Sequence, residues 1–594
     1  MKFVALVSGG KDSCFSILQC IANNHELVAL ANLHPPQQET HEMDSYMYQT
    51  VGHNVVAQYS DLLGVPLYRK AIKGSAVTQK LDYAPVNNDE TEDLYELLTT
   101  VLEDHPMVKA VSVGAILSSY QRTRVENVCQ RLGLISLSYL WQRDQVELLD
   151  EIVKSKLDAR IIKVAGMGLK PQTHIGKSLA DIQQELLLLH ERFGLHPCGE
   201  GGEYETLVLG GPSSLFKKKL TIEKLHIEED KADVAYAKMQ VMVEDQEKLE
   251  GEIVIPELLD EEFENLKKML DGGKNFEPIN AEQTETYEVS LTASSNSEII
   301  ILAGISGEIG EIMEKVCDHL RTMGLSLENI TSSSLILNDM SDFAEVNEIY
   351  SSYFTAPLPP ARVCISARLR EGIRCQLSVS ATRDLGSKTG LHVQSRSYWA
   401  PANIGPYSQT ISSGEVTYLS GQIPLIPASM SLVEEPGLAA VLSLQHLTRV
   451  AREVKSDFAA VVGFTSSPAL IPIAEETFTS YSPGTPLILA SVKALPRNAL
   501  IEWAALAYKN SYYLGQRENI KLVSVSGCTS ISSVLQSISP DDVISVTLYA
   551  TNTSLTNDIN TALEVIQCNT VSCLGSTCDA AVVRYRQDVD IDSE

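Results

Sequence analysis

The sequence predicts an α/β protein: an N-terminal doubly wound parallel sheet, followed by two smaller α+β domains. In residues 1–165, short apolar runs alternate with segments of helical period, which is the pattern of parallel strands covered by helices on both faces. From about residue 288 the pattern changes to strand-rich segments with long helices, and it does so twice. A chain of 594 residues is also too long for one core, because domains average roughly 100–200 residues.

The elements of the N-terminal sheet follow from their apolar residues. The predicted strands are Lys2–Val7, Leu27–Leu33, Val65–Tyr68, Val108–Val113, Ile135–Tyr139 and Arg160–Ala165. Two predicted helices have an apolar face each, formed by Met47, Val51, Val55 and Tyr59 in one and by Leu94, Leu97, Leu98, Val101 and Leu102 in the other. A further helix is predicted around Ser178–Phe193. Ligands of such sheets bind at the carboxyl ends of the strands, so the loop after the first strand is a candidate site.

The composition excludes several classes of protein. The formal net charge of −29 argues against general nucleic-acid binding, which needs clustered Lys and Arg. No apolar run approaches the ~20 residues of a membrane span, so we expect no membrane association. The eleven cysteines contain no C-x-x-C pair, and Cys568, Cys573 and Cys578 lack a histidine partner, so buried thiols are favoured over zinc ligands. We expect a cytoplasmic protein.

The first predicted strand runs directly into "SGGKDS". The two glycines let the backbone approach an anion, and the N–H groups of such a turn attract phosphate together with the positive end of the next helix. The lysine adds a positive charge and the serines add hydroxyl donors. The pattern predicts a nucleotide-binding loop formed by Ser8, Gly9, Gly10, Lys11, Asp12 and Ser13, in which Asp12 holds magnesium or caps the helix. The alternative is a capped strand-to-helix turn without a ligand.

This loop resembles the PP-loop of the ATP pyrophosphatase superfamily, and it lacks the G-x-x-x-x-G-K-[ST] spacing of a γ-phosphate-transferring loop. The resemblance implies ATP with Mg²⁺, and adenylation of a carbonyl or carboxyl oxygen with release of pyrophosphate. Two further stretches, "VGAILSSYQRTRVENVCQRLGLISLSYLWQRDQVELL" at 113–149 and "CGEGGEYET" at 198–206, resemble the diphthine–ammonia ligase family. The match spans roughly residues 1–225. It implies ATP, ammonium and diphthine on translation elongation factor two as substrates, with AMP and pyrophosphate as products.

The residues of these stretches suit the implied chemistry. The loop carboxylates are partners for a cation, either the trimethylammonium of diphthine or the incoming ammonium, and one of them can take the proton that ammonia loses. Aromatic rings offer a cation–π face to the quaternary nitrogen. The predicted catalytic residues are Lys11, Asp12 and Glu203. The predicted substrate-binding residues are Tyr120, Arg122, Arg124, Glu126, Trp141, Glu200, Gly201, Gly202, Glu203, Tyr204, Glu205 and Thr206.

Simpler interpretations of the same residues stay open. The loop carboxylates are also typical of a solvated loop. Arg122 and Glu126 stand four residues apart and would then form a surface ion pair, while Trp141 would belong to the core.

The C-terminal half resembles the RidA family twice, in "PPARVCISARL" and in "APANIGPYSQ" followed by "YLSGQIPLIP". In that family the arginine of "PAR" binds the substrate carboxylate, which implies Arg362 here. The acidic residue of the last strand is replaced by Gln376 or Ser378. In the second unit Leu487 stands in the place of the arginine, although Glu502 remains. Imine hydrolysis, the family's activity, would therefore need a cleft shared by both units, and docking of the elongation factor, or a scaffold, is favoured.

These patterns divide the chain into five segments. They are a ligase-like domain at 1–225, an acidic connection with one or two helices at 226–287, RidA-like domains at 288–385 and 395–510, and an unassigned small α/β extension at 511–594. An oligomer formed through the RidA-like domains is one expectation. Other functions left open are another PP-loop enzyme, such as a tRNA-modifying one, and a RidA-based binding protein with a vestigial nucleotide domain.

Overall fold

The apolar runs near the N-terminus form the parallel sheet that the sequence predicts. The computed structural model describes residues 1–36, 47, 51–80, 82–231, 234–271, 292–295, 298–509, 517–525, 543–550, 562–568, 570–573, 576–577 and 579–587. They fall into two units. The first comprises Met1–Glu257 with Gln394–Ala402 and Pro427–Ser429, and the second comprises the rest.

The first unit contains two sheets. Its elements are β1 (Lys2–Leu6), α1 (Lys11–Ala22), β2 (Glu26–His34), α2 (His53–Val56), α3 (Tyr59–Leu63), β3 (Leu67–Ala71), α4 (Glu90–Asp104), β4 (Ala110–Ser112), α5 (Ser119–Leu132), β5 (Ile135–Leu137), α6 (Gln145–Lys154), β6 (Ala159–Val164), α7 (Pro171–His174), α8 (Leu179–Phe193), β7 (Tyr204–Val208), β8 (Lys218–Lys231) and β9 (Val234–Asp245). Strands β3-β2-β1-β4-β5 form an all-parallel sheet with β1 at its centre, which confirms the predicted doubly wound architecture.

Helix starts in this unit coincide with capping residues. The side chains of Asp89, Ser118 and Asp144 accept backbone N–H groups at the starts of α4, α5 and α6. Ser178 and Asp181 form a capping box at the start of α8, where the sequence predicts a helix. These caps satisfy N–H groups that a helix cannot satisfy internally.

Two predictions for this unit differ from the structure. The sixth predicted strand, β6, lies in a separate antiparallel sheet of order β7-β6-β9-β8. The predicted boundary at residue 225 falls inside β8 of a long β8–β9 hairpin. The reason is that Ala235, Ala237 and Met239 alternate as buried residues on β9, and the acidic composition obscures this period of two.

The second unit is built on three sheets. Its elements are α9 (Glu261–Asp271), β10 (Thr292–Ser295), β11 (Ile299–Gly307), α10 (Ile309–Thr322), β12 (Ile330–Leu337), α11 (Phe343–Tyr353), β13 (Ala361–Ser366), β14 (Cys375–Thr382), β15 (Thr389–Leu391), β16 (Thr410–Ser413), β17 (Val416–Gln422), β18 (Leu425–Ile426), β19 (Ser431–Leu432), α12 (Pro436–Glu453), β20 (Ser456–Thr465), α13 (Ile471–Tyr481), β21 (Leu487–Ser491), β22 (Ile501–Lys509), β23 (Arg517–Val525), β24 (Val543–Ala550), β25 (Ala562–Gln567), β26 (Thr570–Cys573), β27 (Ser576–Thr577) and β28 (Asp579–Gln587).

The sheets have the orders β10-β11-β14-β12-β13, β15-β16-β17-β22-β20-β21-β26-β27 and β23-β28-β24-β25, and β18 pairs with β19. The first two sheets, with helices α10, α11, α12 and α13, are the two predicted α+β domains. Of the predicted α/β extension at 511–594, the described residues form strands, and its helical part lies outside the described residues. Residues 272–287 of the predicted acidic connection also lie outside the described residues.

Candidate functional site

The loop Ser8–Ser13 lies between β1 and α1, at the carboxyl end of the central strand. Gly9 has φ +90°, and a Cβ there would come within 2.8 Å of Leu207 and Val56, so this position requires glycine. Helix α1 begins at Lys11, and the N–H groups of its first turn have no intrahelical acceptor. The geometry therefore fits the predicted anion-binding turn.

Strand β7 holds this loop in place. The Lys11 backbone N–H donates to Thr206 Oγ1 (3.0 Å), and the Val208 N–H donates to the Gly9 carbonyl oxygen (2.8 Å). The Tyr59 hydroxyl is within hydrogen-bond distance of the carbonyl oxygens of Gly9 and Val208, at 3.0 and 2.6 Å. The stretch at 198–206 therefore packs directly against the Ser8–Ser13 loop, as a site shared by both requires.

The Lys11 ammonium is nearly fully buried, at 4% exposure. Its Nζ lies 2.8 Å from Asp12 Oδ2 and 5.4 Å from the centre of the Tyr204 ring. Burial by itself would lower the pKa of Lys11, but Asp12, Cys198 and Glu200 outweigh it and raise that pKa. The loop therefore carries a fixed positive charge at neutral pH.

Two carboxylates of the glycine-rich stretch lie near this charge. Glu200 Oε1 accepts the Leu117 N–H (3.0 Å), and burial together with Asp12 raises the pKa of Glu200. Glu203 Oε1 accepts the His196 N–H (3.1 Å), while its Oε2 is buried without a hydrogen-bond partner among the described residues. Asp12 Oδ1 is likewise buried, and no described residue bonds to it. Buried oxygens of this kind are candidate acceptors for a cation.

The remaining residues of this stretch have packing contacts of their own. Glu205 forms an ion pair with Lys163 (3.1 Å), and the Tyr204 hydroxyl donates to the Pro197 carbonyl oxygen (2.6 Å). Gly202 has φ +81°, which favours glycine, and a Cβ at Gly201 would collide with the Glu203 carboxylate. Glu205 and Thr206 therefore contribute to the framework of the site.

Helix α5 carries a buried ion pair rather than a surface one. Arg122 Nη1 lies 2.7 Å from Glu126 Oε2, and both side chains are at most 3% exposed. The Arg122 guanidinium also lies 4.8 Å from the centre of the Trp141 ring, which is fully buried. Arg124 contacts the Tyr120 ring at 3.4 Å. The faces of both rings thus meet cations of the chain itself, and their contact with a substrate cation stays a prediction.

Glu126 also binds a segment that the sequence analysis missed. Its Oε1 accepts the N–H groups of Gln394 and Ser395, at 3.1 and 2.9 Å. We call Gln394–Ala402 the edge strap, because it runs beside β5 at the outer edge of the parallel sheet. The sequence contained one weak signal of an extended segment here, the alternation of Ser395 and Ser397, both of which are buried.

The edge strap extends the sheet with main-chain hydrogen bonds. The Ser138 N–H donates to the Arg396 carbonyl oxygen (2.8 Å), and the Arg396 N–H donates to the Ser136 carbonyl oxygen (2.9 Å). Tyr398 lies against Tyr139, with ring centres 5.0 Å apart. These contacts satisfy polar groups that an edge strand would otherwise leave open.

A second constellation lies in the other unit, around Arg362 and Glu502. Arg362 is 4% exposed; its Nη1 donates to Asn347 Oδ1 (2.7 Å), and its guanidinium lies near the rings of Tyr350 and Tyr407. Glu502 is 2% exposed, and within the described part of the chain its Oε2 has no hydrogen-bond partner.

Burial raises the pKa of Glu502 to about 8, although Arg362 and the Cys364 N–H oppose the rise. Two residues from different RidA-like domains therefore share one buried site. A site shared by both RidA-like domains is the condition that the sequence sets for imine hydrolysis.

The strand registers identify the counterparts of these residues. Ile336 pairs with both Ile365 and Gln376, and Phe464 pairs in the same way with Ala490 and Glu502. Gln376 therefore occupies the position of Glu502. By the same alignment Leu487 occupies the position of Arg362, as the sequence indicates.

The described parts of the chain contain neither a metal cluster nor a membrane span. No three His, Cys, Asp or Glu side chains among these residues come together in a way suited to a metal ion. No helix that the structure describes is long and apolar enough to cross a membrane.

Known families match most of the chain. The description "Diphthamide synthase N-terminal domain" matches residues 1–136, and "Diphthamide synthase C-terminal domain" matches residues 144–243. "Endoribonuclease L-PSP" matches residues 289–381 and 398–509.

Among curated proteins, the diphthine–ammonia ligase of Schizosaccharomyces pombe is 43% identical over 536 residues, which cover 85% of this chain and 87% of the relative. The enzyme of the same name from Saccharomyces cerevisiae is 36% identical, covering 86% of this chain and 84% of the relative. The human one is 49% identical over 252 residues, covering 41% of this chain and 93% of the relative.

Solved structures resemble single parts of the chain. A putative endoribonuclease from Thermotoga maritima is 29% identical and covers 21% of this chain and 100% of its own, with a TM-score of 0.19. RidA from an Antarctic Psychrobacter is 25% identical and covers 18% of this chain and 94% of its own, with a TM-score of 0.18.

We predict that Glu126→Gln loosens the edge strap. The substitution removes the carboxylate charge from the buried ion pair with Arg122, and breaking such a pair typically costs about 3 kcal/mol or more of unfolding free energy. Urea unfolding should show this loss, and amide hydrogen exchange should accelerate at Gln394 and Ser395. The matched control is Asp150→Asn, which breaks the exposed ion pair with Lys154 and should cost less than about 1 kcal/mol. Equal losses for both variants would contradict the prediction.

We predict that Glu502 makes the protein less stable as pH rises. Its folded-state pKa of about 8 lies above the ordinary value of 4.5, so the folded chain holds a proton that the unfolded chain releases between these values. The free energy of unfolding should therefore decrease from pH 5 to pH 8, and Glu502→Gln should flatten this decrease. Urea midpoints across this range measure it, with the exposed Glu371→Gln as control. An unchanged pH slope in Glu502→Gln would refute the assignment.

Proposed function

The chain belongs to the diphthine–ammonia ligase family, and we propose that its Ser8–Ser13 loop binds the pyrophosphate portion of ATP in the family's reaction. The protein is an ATP-dependent carbon–nitrogen ligase that amidates diphthine to diphthamide with ammonium. The protein substrate that we propose is translation elongation factor two, and the proposed location is the cytoplasm. The carrying observation is the buried Lys11 at a glycine turn packed against Thr206.

The reaction must first activate a poor electrophile. We propose that the diphthine carboxylate attacks the α-phosphorus of ATP, so that pyrophosphate leaves and an acyl-adenylate forms. Ammonia then attacks the acyl carbon, AMP leaves, and the amide nitrogen loses its extra proton. Holding the carboxylate in line with the leaving group supplies much of the rate enhancement.

Lys11 has the properties that this first step needs. Negative charge grows on the leaving pyrophosphate, and a fixed ammonium and helix N–H groups in a buried turn stabilise it without reorganising. Since Asp12, Cys198 and Glu200 raise its pKa, Lys11 stays protonated throughout. The first-turn donors of α1, which have no intrahelical acceptor, lie beside it.

The unpartnered carboxylate oxygens supply sites for cations. Asp12 Oδ1 fits Mg²⁺, which prefers one or two carboxylates plus substrate phosphates to a cage of protein ligands. We propose that Glu203 Oε2 binds ammonium and takes its proton, which its burial without a partner among the described residues supports. Glu200, whose pKa is raised, is the neighbouring carboxyl at which a second proton can reside.

Helix α5 supports the proposed diphthine side of the site. The Leu117 N–H, just before α5, donates to Glu200, so the stretches at 113–149 and 198–206 touch here. We propose that Tyr120, Arg122, Arg124, Glu126 and Trp141 shape the substrate pocket. The burial of the ion pair and of Trp141 supports a positioning role.

Imine hydrolysis at Arg362 and Glu502 is a second candidate activity, favoured by their shared buried site. A buried arginine binds a small carboxylate, and a carboxyl that titrates near neutral pH can activate water. Water adds to the carbon of the C=NH bond, and the C–N bond then breaks to give a carbonyl compound and ammonia. That product is the nitrogen substrate of the ligase. Docking of the elongation factor on the RidA-like domains stays a prediction, as does an oligomer formed through them.

We predict that Lys11→Ala lowers AMP formation by about 100-fold or more, because the developing charge loses its fixed partner. Chromatography of nucleotides after incubation with ATP, ammonium and diphthine-bearing elongation factor measures this. The control is Lys2→Ala, which removes a partly exposed lysine of β1 that pairs with Glu26. Full activity in Lys11→Ala would remove the loop from the mechanism, and ADP as product would refute adenylation.

For the second candidate, we predict that the full chain releases ammonia from a small imino acid. Arg362→Lys, which loses the two-pronged geometry, should lower this release about tenfold or more. The same variant should form AMP at the wild-type rate when ammonium is added. Ammonia release equal in both proteins would exclude Arg362 from such an activity.

A further inference from the structure

The three sheets of the second unit have the same internal order. Each contains four strands, counted here in chain order, that pair in the same way. The first strand pairs antiparallel with the last, the last pairs antiparallel with the second, and the second pairs parallel with the third. The sets are β11-β14-β12-β13, β17-β22-β20-β21 and β23-β28-β24-β25. Three such sets in one chain indicate a repeated unit, because many other orders of four strands are available.

The pairing registers of the three sets also correspond. In each, the second and third strands end in register, so that Leu337 faces Ser366, Thr465 faces Ser491 and Ala550 faces Gln567. The residue before each of these ends faces the second residue of the last strand: Ile336 faces Gln376, Phe464 faces Glu502 and Tyr549 faces Ala580. The correspondence therefore extends beyond strand order to individual positions.

The three sets share one apolar core. The buried cluster takes Ile336 and Ile365 from the first set, Phe464 and Ile488 from the second, and Tyr549, Ile566 and Val582 from the third. The ring centres of Phe464 and Tyr549 lie 6.1 Å apart. Removing any one set would expose apolar side chains of the other two that are buried in this cluster.

A cavity of about 180 Å³ lies among the sets. Its lining includes Ser333 and Val379 of the first set, Phe464 and Ala505 of the second, and Tyr549 and Val582 of the third. One cavity lined by all three indicates that they surround a common centre.

The edge strand of the second set, β21, is also paired. Strand β21 pairs antiparallel with β26, so that Ile488 faces Cys573 and Leu489 faces Ser572. An unpaired edge strand is a template for another chain. Here β21 pairs with β26, which lies in the chain between β25 and β28 of the third set.

We propose that β23, β24, β25 and β28 belong to a third copy of the RidA-like unit, and that it occupies within the same chain the position that a second molecule would otherwise fill. The C-terminal half is then a closed set of three copies. The chain does not self-associate through these sheets, in contrast to the oligomer that the sequence suggests.

The copies have diverged in charge. By register, the place of Arg362 is taken by Leu487 in the second copy and by Leu563 in the third. The place of Glu502 is taken by Gln376 in the first copy and by Ala580 in the third. The two charged residues therefore come together where the first and second copies meet, while the third copy completes the shared core.

The test uses the full chain with Ile488→Cys, which places a thiol opposite the natural Cys573. Facing residues of antiparallel strands lie about 4.5–5.5 Å apart at their Cα atoms, within the range of a disulfide. The matched control is Leu489→Cys, whose side chain points to the other face of the sheet and should not link to Cys573. Mild oxidation, followed by mass spectrometry of peptides and a non-reducing gel, identifies the bond. Light scattering of the unmodified protein gives its mass in solution.

The proposal predicts a disulfide between the introduced thiol of Ile488→Cys and Cys573 within one chain, no such bond in the control, and the mass of a single chain at micromolar and higher concentrations. A bond between two chains would show that the third copy is exchanged between molecules and would overturn closure in one chain. Failure to form the bond in Ile488→Cys would contradict the pairing of β21 with β26. A trimeric mass disrupted by substitutions in the three-copy core would also overturn the proposal.

Discussion

The attachment of the Gly9–Lys11 turn to β7 is the constraint on which the ligase site depends. Thr206 accepts the Lys11 N–H and the Val208 N–H donates to the Gly9 carbonyl oxygen, and these two hydrogen bonds fix the turn whose next N–H groups, those of Asp12 and Ser13, would meet an anion. Because β7 directly follows the glycine-rich stretch, the same hydrogen bonds place Glu203 beside the loop. Thus one strand sets both the phosphate side and the ammonium side of the proposed reaction.

Buried charge is the second theme of the molecule. Lys11 and Arg122, both buried in the first unit, have carboxylate partners in Asp12 and Glu126. Such pairs add little net stability, but they fix geometry, because removing one partner leaves the other charge unpaired in a medium of low dielectric. No residue that the structure describes bonds to Glu203 Oε2 or to Glu502 Oε2, and both oxygens lie where we propose chemistry.

Exposed strand edges explain why segments distant in sequence belong to these sheets. The edge strap completes the outer edge of β5, and β26 completes that of β21. In both cases main-chain groups that would face solvent, or another molecule, are paired within the chain. The strap also ties Glu126 to residues 268 and 269 positions later, so α5 depends on a segment far outside the ligase motifs.

The sequence alone determined what short-range physics encodes: the parallel strands and their helices, the helix around Ser178–Phe193, the glycine turn after the first strand, and the two RidA-like repeats with their divergent Arg362 and Glu502. It did not determine that β6 joins an antiparallel sheet, that Glu126 binds the edge strap, that Arg362 and Glu502 share a site, or that the last strands repeat the same order. These features rest on hydrogen bonds and packing between segments far apart in the chain. Such contacts leave no period in the local sequence, since a backbone N–H is the same whichever residue carries it.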